Sequence, residues 1–179
     1  PFSIRKRSIN QNEKPFIIAE MSGNHNQSFD QALLIIQAAV DCGADALKLQ
    51  AYTPDTITLD CQKEDFKIKN PDSLWKDQYL YGLYQDAYTD WGWIKEIMLE
   101  CKKRNLICFS SVFDETSVDF LEDLNTPAYK ISSFENNHIP LITKVASTGK
   151  PLIISTGTAS EEEIFEAVDT ARGAGCKSL

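Results

Sequence analysis

Five short apolar runs in this chain each finish in polar or charged residues, and that recurrence limits the folds open to it. The first run, Phe16-Ile-Ile-Ala-Glu20, ends in a carboxylate and passes at once into a loop carrying Asn24, His25 and Asn26. Lys48 and Gln50 close the second run and Ser110 and Ser111 the third. Lys130, Ser132 and Ser133 close the fourth, Ser155 and Thr156 the fifth. A buried strand has no packing use for a carboxylate at its tip, and burying an unpaired one is costly. In parallel α/β proteins the carboxyl ends of strands are where sites are built. The pattern points to an enzyme.

Between these runs the spacing predicts helices. Strands are expected over 16–19, 46–52, 107–112, 128–133 and 151–155. Helices are expected over 30–42, 91–104, 114–124, 138–147 and 161–172. Asp90 is placed to cap the second of these helices, and Ser160 with Glu163 forms a capping box on the last. Gly173 and Gly175 end that helix, and the final three residues are in place to begin a sixth strand. Residues 53–89 form a long connection rich in Trp and Tyr, and connections of that length usually serve function. Alternation of this kind implies a mostly parallel sheet with helical crossovers. An open doubly wound sheet is complete at this length, whereas a (β/α)8 barrel takes about 250 residues and would stop here after five units. Neither a G-x-G-x-x-G turn nor a P-loop is present.

The formal charge of −8 argues against nucleic-acid or membrane-surface partners, which favour basic patches. No apolar run is long enough to span a bilayer, and no secretory signal is visible. Five cysteines, odd in number and without C-x-x-C spacing, suit a reducing cytoplasm better than a disulfide framework or zinc site. The chain opens at Pro1 without Met, as a processed or trimmed N-terminus would.

Lys48 and Gln50 stand two apart on a strand, so they share a face; Lys130 and Ser132 repeat the arrangement. Two interior lysines converging on one cavity would hold a phosphate or carboxylate as point charges with several donors. Hydroxyls of Ser110, Ser111, Ser133, Ser155 and Thr156 would add neutral donors. The helix after Ser155-Thr-Gly-Thr158 would offer N-terminal amides to the same anion. With only His25 and His138, the chain has no adequate transition-metal ligand set. Aromatics from Trp75 to Trp93 serve equally as a sugar-site lining or as core.

Phe16-Ile-Ile-Ala-Glu20 with Asn24-His-Asn26, Gly43-Ala-Asp-Ala-Leu-Lys-Leu-Gln50, Phe109-Ser-Ser111, Ala128-Tyr-Lys-Ile-Ser-Ser133 and Gly149-Lys-Pro-Leu-Ile-Ile-Ser-Thr-Gly157 together resemble the sialic acid synthase family. The likeness runs from about residue 14 to about residue 175. Within the family, the insert Lys63-Glu-Asp-Phe-Lys-Ile-Lys69, Leu74-Trp75, Leu80-Tyr-Gly-Leu-Tyr84 and Ser133-Phe-Glu135 are most similar to the pseudaminic acid branch, which acts on a 2,4-diacetamido-6-deoxy sugar.

The resemblance implies a (β/α)8 TIM barrel, with residues 1–179 as about its first five βα units. The other strands and a small antifreeze-like C-terminal domain would lie outside this chain. It implies condensation of phosphoenolpyruvate with an open-chain N-acetylated amino sugar, releasing phosphate, in a cytoplasmic homodimer. Glu20, Gln50 and Glu135 are implied as catalytic; Lys48, Ser111, Lys130, Ser133, Ser155, Asn24 and His25 as substrate-binding. A divalent metal, Mn or Mg, is implied as cofactor, held mainly by histidines beyond Leu179, with Glu135 reaching it through water. Ser111-Val112 stands where the family commonly has Thr-Pro or Ser-Pro, a change that keeps the hydroxyl. A non-catalytic sugar- or phosphate-binding module, and another phosphoenolpyruvate-condensing barrel, remain as alternatives. An isolated five-strand arc would also expose an edge and is expected to associate.

Overall fold

The structure, a computed structural model, describes residues 2–179. Five strands form one parallel sheet in chain order: β3 (Ile18–Glu20), β4 (Ala46–Ala51), β5 (Ile107–Val112), β6 (Tyr129–Ile131) and β7 (Leu152–Ile154). The crossovers carry α1 (Phe29–Asp41), α4 (Trp91–Lys103), α5 (Glu115–Asp123) and α6 (Ile139–Ser147), and α7 (Glu161–Gly173) follows β7. Strictly sequential order is what a curling barrel sheet requires, and it departs from the reversal found in doubly wound sheets. The chain is a curled half-barrel. Its last residues already extend the arc, since Leu152 N–H donates to the carbonyl of Ser178 at 2.9 Å.

The two faces of the sheet have different cores. Outward residues such as Leu47, Leu49, Tyr129, Ile131 and Leu152 pack against Ile36, Ile94, Ile97, Leu121 and Leu141 from the helices. Inward residues at the amino ends of the strands, Ala46, Phe109 and Ala128 with Ile18, Ile107 and Ile153, form a separate cluster. That second cluster is closed from below by an antiparallel hairpin, β1 (Phe2–Ile4) and β2 (Arg7–Ile9). Ile4 is its fully buried plug. Asp45 ties the hairpin down, accepting from Arg7 Nε at 3.2 Å and from the Ile17 amide at 2.8 Å. The Ile17 bond, then burial working the other way, then Arg7, leave the Asp45 carboxyl below its usual range.

The strand ends are shorter than expected. Phe16 and Ile17 lie outside the ladder because the Ile17 amide is taken by Asp45, and β3 ends on Glu20 itself. Ser132, Ser133 and Ser155 fall just beyond β6 and β7. Helix caps follow the sequence closely. Asp90 accepts from Gly92 N–H, and Ser160 exchanges bonds with Glu163. The long connection holds α2 (Pro54–Ile57), a 3-10 turn (Glu64–Phe66) and α3 (Leu80–Ala87). Among the described residues no helix is long and apolar enough to cross a membrane.

If Ile4 plugs the arc, Ile4→Ala should cost about 2–4 kcal/mol of stability in the full-length protein through lost transfer energy and a residual cavity. Urea unfolding measures this, and an unchanged midpoint would show that the hairpin does not close the core.

Candidate active site

Register sets the site. Parallel pairing places Glu20 beside Lys48, and runs Gln50, Ser111 and Lys130 along a neighbouring row. Paired residues of a sheet share a face, so these side chains project inward above the apolar cluster of Ala46, Phe109 and Ala128. The inner face therefore runs from apolar at the strands' amino ends to polar and charged at their carboxyl ends. Sites of parallel barrels are built at the carboxyl end.

Lys48 is almost wholly buried, and its Nζ lies 3.2 Å from Glu20 Oε1. Glu20 avoids the cost of a buried carboxylate, for its side chain is 60% exposed. The pair thus has one end in the interior and one facing solvent. Lys130 Nζ donates to Ser155 Oγ at 2.5 Å and to the carbonyl of Ile131 at 2.6 Å. Burial, followed by repulsion from Lys48, pulls the Lys130 ammonium down to about 8; the charges of Glu20 and Glu135 oppose the fall. Two cations brought close on a desolvated surface are costly unless an anion joins them.

Two buried polar atoms lack partners among the described residues: Ser111 Oγ, flanked by Gln50 and Lys130, and Glu135 Oε2. Burial raises the Glu135 carboxyl, partly offset by its own backbone amide and by Lys130. Glu135 sits in the turn after β6, where its amide donates to the carbonyl of Ser132. Ser133 lies against Gly157 so closely that a Cβ on Gly157 would stand 2.9 Å from Ser133 Oγ. That approach joins the loops after β6 and β7. Asn136 reinforces it, donating from Nδ2 to the carbonyls of Ser155 and Gly157. Asn136 was not anticipated; its only signal in the sequence is a polar residue next to Glu135.

Several expectations need correction. His25, expected among substrate contacts, is fully buried, with both ring nitrogens engaged. Its Nδ1 accepts from the Gln27 amide at 3.2 Å, so Nε2 carries the proton and donates to Thr89 Oγ1 at 2.9 Å. Burial lowers its basicity, which keeps it neutral. Gln27 donates to the carbonyls of Asp86 and Tyr88, and Gly23 packs against the carbonyl of Ala87. This loop is a clamp on the long connection, and Asn24 stands exposed upon it. Ser110 pairs in register with Leu49 and Tyr129 of the outer face and donates to the Ser111 carbonyl, so it leaves the expected cradle. The α7 N-terminus is no anion holder either, because its capping box is closed and Glu161, Glu162 and Glu163 occupy its first turn. His138 is exposed in the turn before α6, and Thr156 is exposed after β7.

The aromatics divide between the two uses. Trp91 stacks on Phe120, and Trp93 packs edge-on against Phe29 and His25, so both belong to the core. Tyr84 of α3 packs edge-on over Tyr52, which in turn contacts Phe113. Tyr52 follows β4 at its carboxyl end, so its contact with Tyr84 sets α3 at the mouth of the site; burial and then the charge of Glu135 raise the Tyr84 phenol. Trp75 and Leu74 stay exposed on the excursion. Among the described residues no group of three or more His, Cys, Asp or Glu can hold a metal. Glu135 Oε2 is at most one donor, so these residues do not by themselves make a metal centre.

This geometry agrees with the comparisons. The sequence model of the NeuB family matches residues 35–179, and the chain belongs to that family. It is 45% identical to pseudaminic acid synthase of Campylobacter jejuni over 159 residues, covering 89% of this chain and 46% of that protein. Identity to pseudaminic acid synthase of Helicobacter pylori is 41% over 160 residues, with the same coverage of 89% and 46%. The chain thus spans about half the length of the curated relatives it matches. N-acetylneuraminic acid synthetase of Leptospira borgpetersenii, solved in complex with citrate, superposes with a TM-score of 0.81 at 27% identity over 98% of this chain and 56% of that one.

The charge arrangement gives a sharp expectation. In the free protein the Lys130 amine should titrate near 8, as an ammonium below and an amine above. Lys48→Met removes a repelling cation and should raise that value, while Glu135→Gln removes an attracting anion and should lower it further. NMR of the ¹³C-methylated lysines reads both shifts, and movement in the opposite sense would break the proposed proximity.

Proposed function

We propose that this chain is the N-terminal catalytic part of a nonulosonic acid synthase. In this reading the enzyme joins phosphoenolpyruvate to an open-chain N-acetylated amino sugar, most closely on the pattern of the pseudaminic acid synthases. The observation that carries the reading is the Lys48–Lys130 pair around the unpartnered Ser111 hydroxyl. Phosphoenolpyruvate brings a phosphate and a carboxylate, the ligand charge that such a pair calls for. Lys48 and Lys130 hold these anions, with Ser111, Ser133 and Ser155 as neutral donors. A C–C bond forms between the ligand's methylene carbon and the sugar's aldehyde carbon. Water adds at the carbon bearing phosphate and gives up its two protons, one to the aldehyde oxygen, which becomes a hydroxyl, and one to the departing phosphate. The bond from that carbon to the phosphate's bridging oxygen breaks, leaving a keto group and inorganic phosphate.

Glu20 and Gln50 stand where the sugar would approach, with Glu20 already fixed by its ion pair to Lys48. Glu135, its carboxyl raised by burial, retains a proton more readily than an exposed carboxylate and so can pass one at the reacting centre. Asn24 lies on the exposed rim of the clamp loop within this reading. A divalent cation, Mn or Mg, would supply Lewis-acid chemistry on the aldehyde, held mainly by residues outside this chain. The whole protein would act as a homodimer in a reducing cytoplasm, a setting that suits its five free cysteines.

The full-length protein, given phosphoenolpyruvate and diacetamido sugars, should yield a nonulosonic acid by mass spectrometry together with one phosphate per product. Absence of product with every such sugar would overturn the reading. Lys48→Ala and Lys130→Ala should each weaken phosphoenolpyruvate binding by about one to two orders of magnitude, since a hydrogen bond to a charged group is worth about 1.5–3 kcal/mol. Ser133→Ala should cost less. Calorimetric titration measures all three.

Glu20→Gln should separate binding from turnover. The anion site keeps both lysines, so phosphoenolpyruvate affinity should hold while kcat falls. Equal losses in both would make Glu20 a binding residue only.

A further inference from the structure

We propose that the cleft beside Glu135 is a subsite for a methyl-bearing substituent of the sugar, with Phe134 as its apolar wall. The inference rests on the synthase reading given above and deepens it. Phe134 is 79% exposed. Its exposure does not come from a loose loop. The Glu135 amide donates to the Ser132 carbonyl at 3.2 Å, and the His138 amide to the Glu135 carbonyl at 3.0 Å. Asn136 pins the same turn to the Ser155 and Gly157 carbonyls, and Ser133 is wedged against Gly157. A backbone so closely held fixes where the ring projects, and it projects outward rather than into either core.

The ring borders a cleft of about 440 Å³. Sites for small organic ligands typically measure about 300–1,000 Å³ and combine apolar walls with a few placed polar groups. The cleft is open and its lining is mostly polar, from Thr56, Glu135, Asn137 and His138, with Phe134, Ile57 and Phe113 as a smaller apolar side. Glu135, with its buried unpartnered Oε2, forms part of the same wall. Glu135 is the residue that this cleft shares with the proposed site. An occupant should present a methyl toward Phe134 and Ile57 and polar atoms toward the other side.

On a sugar that description fits two groups, the methyl of an acetamido substituent and a terminal deoxy carbon. Their shared chemistry is a methyl next to hydrogen-bonding atoms, and substrate variants separate them.

The test uses the full-length enzyme with Phe134→Ala and Phe134→Leu. Three sugars are compared: a diacetamido 6-deoxy aldose, its 6-hydroxy counterpart, and its N-formyl counterpart. A methyl in a wholly apolar pocket is worth roughly 10–200-fold in kcat/KM, and the low end applies to a cleft with one apolar side. Phe134→Ala should therefore lose about tenfold on the first sugar and Phe134→Leu much less. The loss should shrink on the sugar lacking the methyl that the wall reads, identifying it as acyl or terminal. Phosphoenolpyruvate affinity and Tm should be unchanged. Equal losses on all three sugars, no loss at all, or a drop in Tm would overturn the subsite. In that event activity of the unaltered enzyme would leave the synthase reading standing. An unaltered enzyme that condenses none of the sugars would remove that reading, and the subsite with it.

Discussion

Parallel in-register pairing of five strands is the constraint on which the rest of the molecule depends. It aligns Ile18 with Ala46, and two residues on it aligns Glu20 with Lys48. Further along it sets Gln50, Ser111 and Lys130 side by side. A slip of one residue would turn a strand's inward polar tip into the helix-packed core and bring outward residues, such as Leu47 and Leu49 of β4 or Ile131 of β6, to the inner face. The cost of misplacing so many side chains holds the register. One set of contacts therefore both builds the outer core and delivers the charges to a single end.

Charge is tolerated there because the two ends of the inner face are treated differently. At the amino end, Ile4 and the hairpin exclude water and fill the arc with hydrocarbon. At the carboxyl end, each lysine has some local support. Glu20 meets Lys48, and the Ser155 hydroxyl with the Ile131 carbonyl meets Lys130. The support for Lys130 is neutral, so burial still lowers its proton affinity. In the proposed reading such a group awaits an anion, since no permanent ion pair satisfies it among the described residues. The arrangement is costly for stability and useful for binding, as buried cations at functional sites generally are.

Much of this was legible in the sequence, for reasons that can be named. Strand and helix alternation follows hydrophobic periodicity, so all five sheet strands and their helices fall within a few residues of expectation. The caps at Asp90 and Ser160 depend on local spacing alone and were readable too. The opening hairpin was not, because three-residue strands around Arg5-Lys6-Arg7 have too few alternations to register. Ser110 and Ser111 show the limit of reading residue types at a strand end. Adjacent residues face opposite ways, and only the pairing reveals which serine faces inward. His25 shows another limit: its chemistry suits a site, yet Thr89, 64 positions away, claims its ring. Tertiary partners decide such cases.

The clamp loop and the pinned turn after β6 complete the logic from opposite sides of the sheet. His25, Gln27 and Gly23 fasten the end of the long connection, which lets α3 lay Tyr84 over Tyr52 at the mouth of the site. Asn136 and the Ser133–Gly157 contact fasten the turn that bears Glu135. The first fastening lies away from the proposed anion site, while the second holds two of its donors, Ser133 and Ser155, in place. Each converts a loop, normally the most mobile part of an α/β protein, into a rigid extension of the strands. A site that separates developing charge gains most from donors already fixed in place, since little reorganisation is then left for the reaction itself. His25, expected at the substrate, and Asn136, which was not anticipated, therefore contribute by fastening the loops around the site.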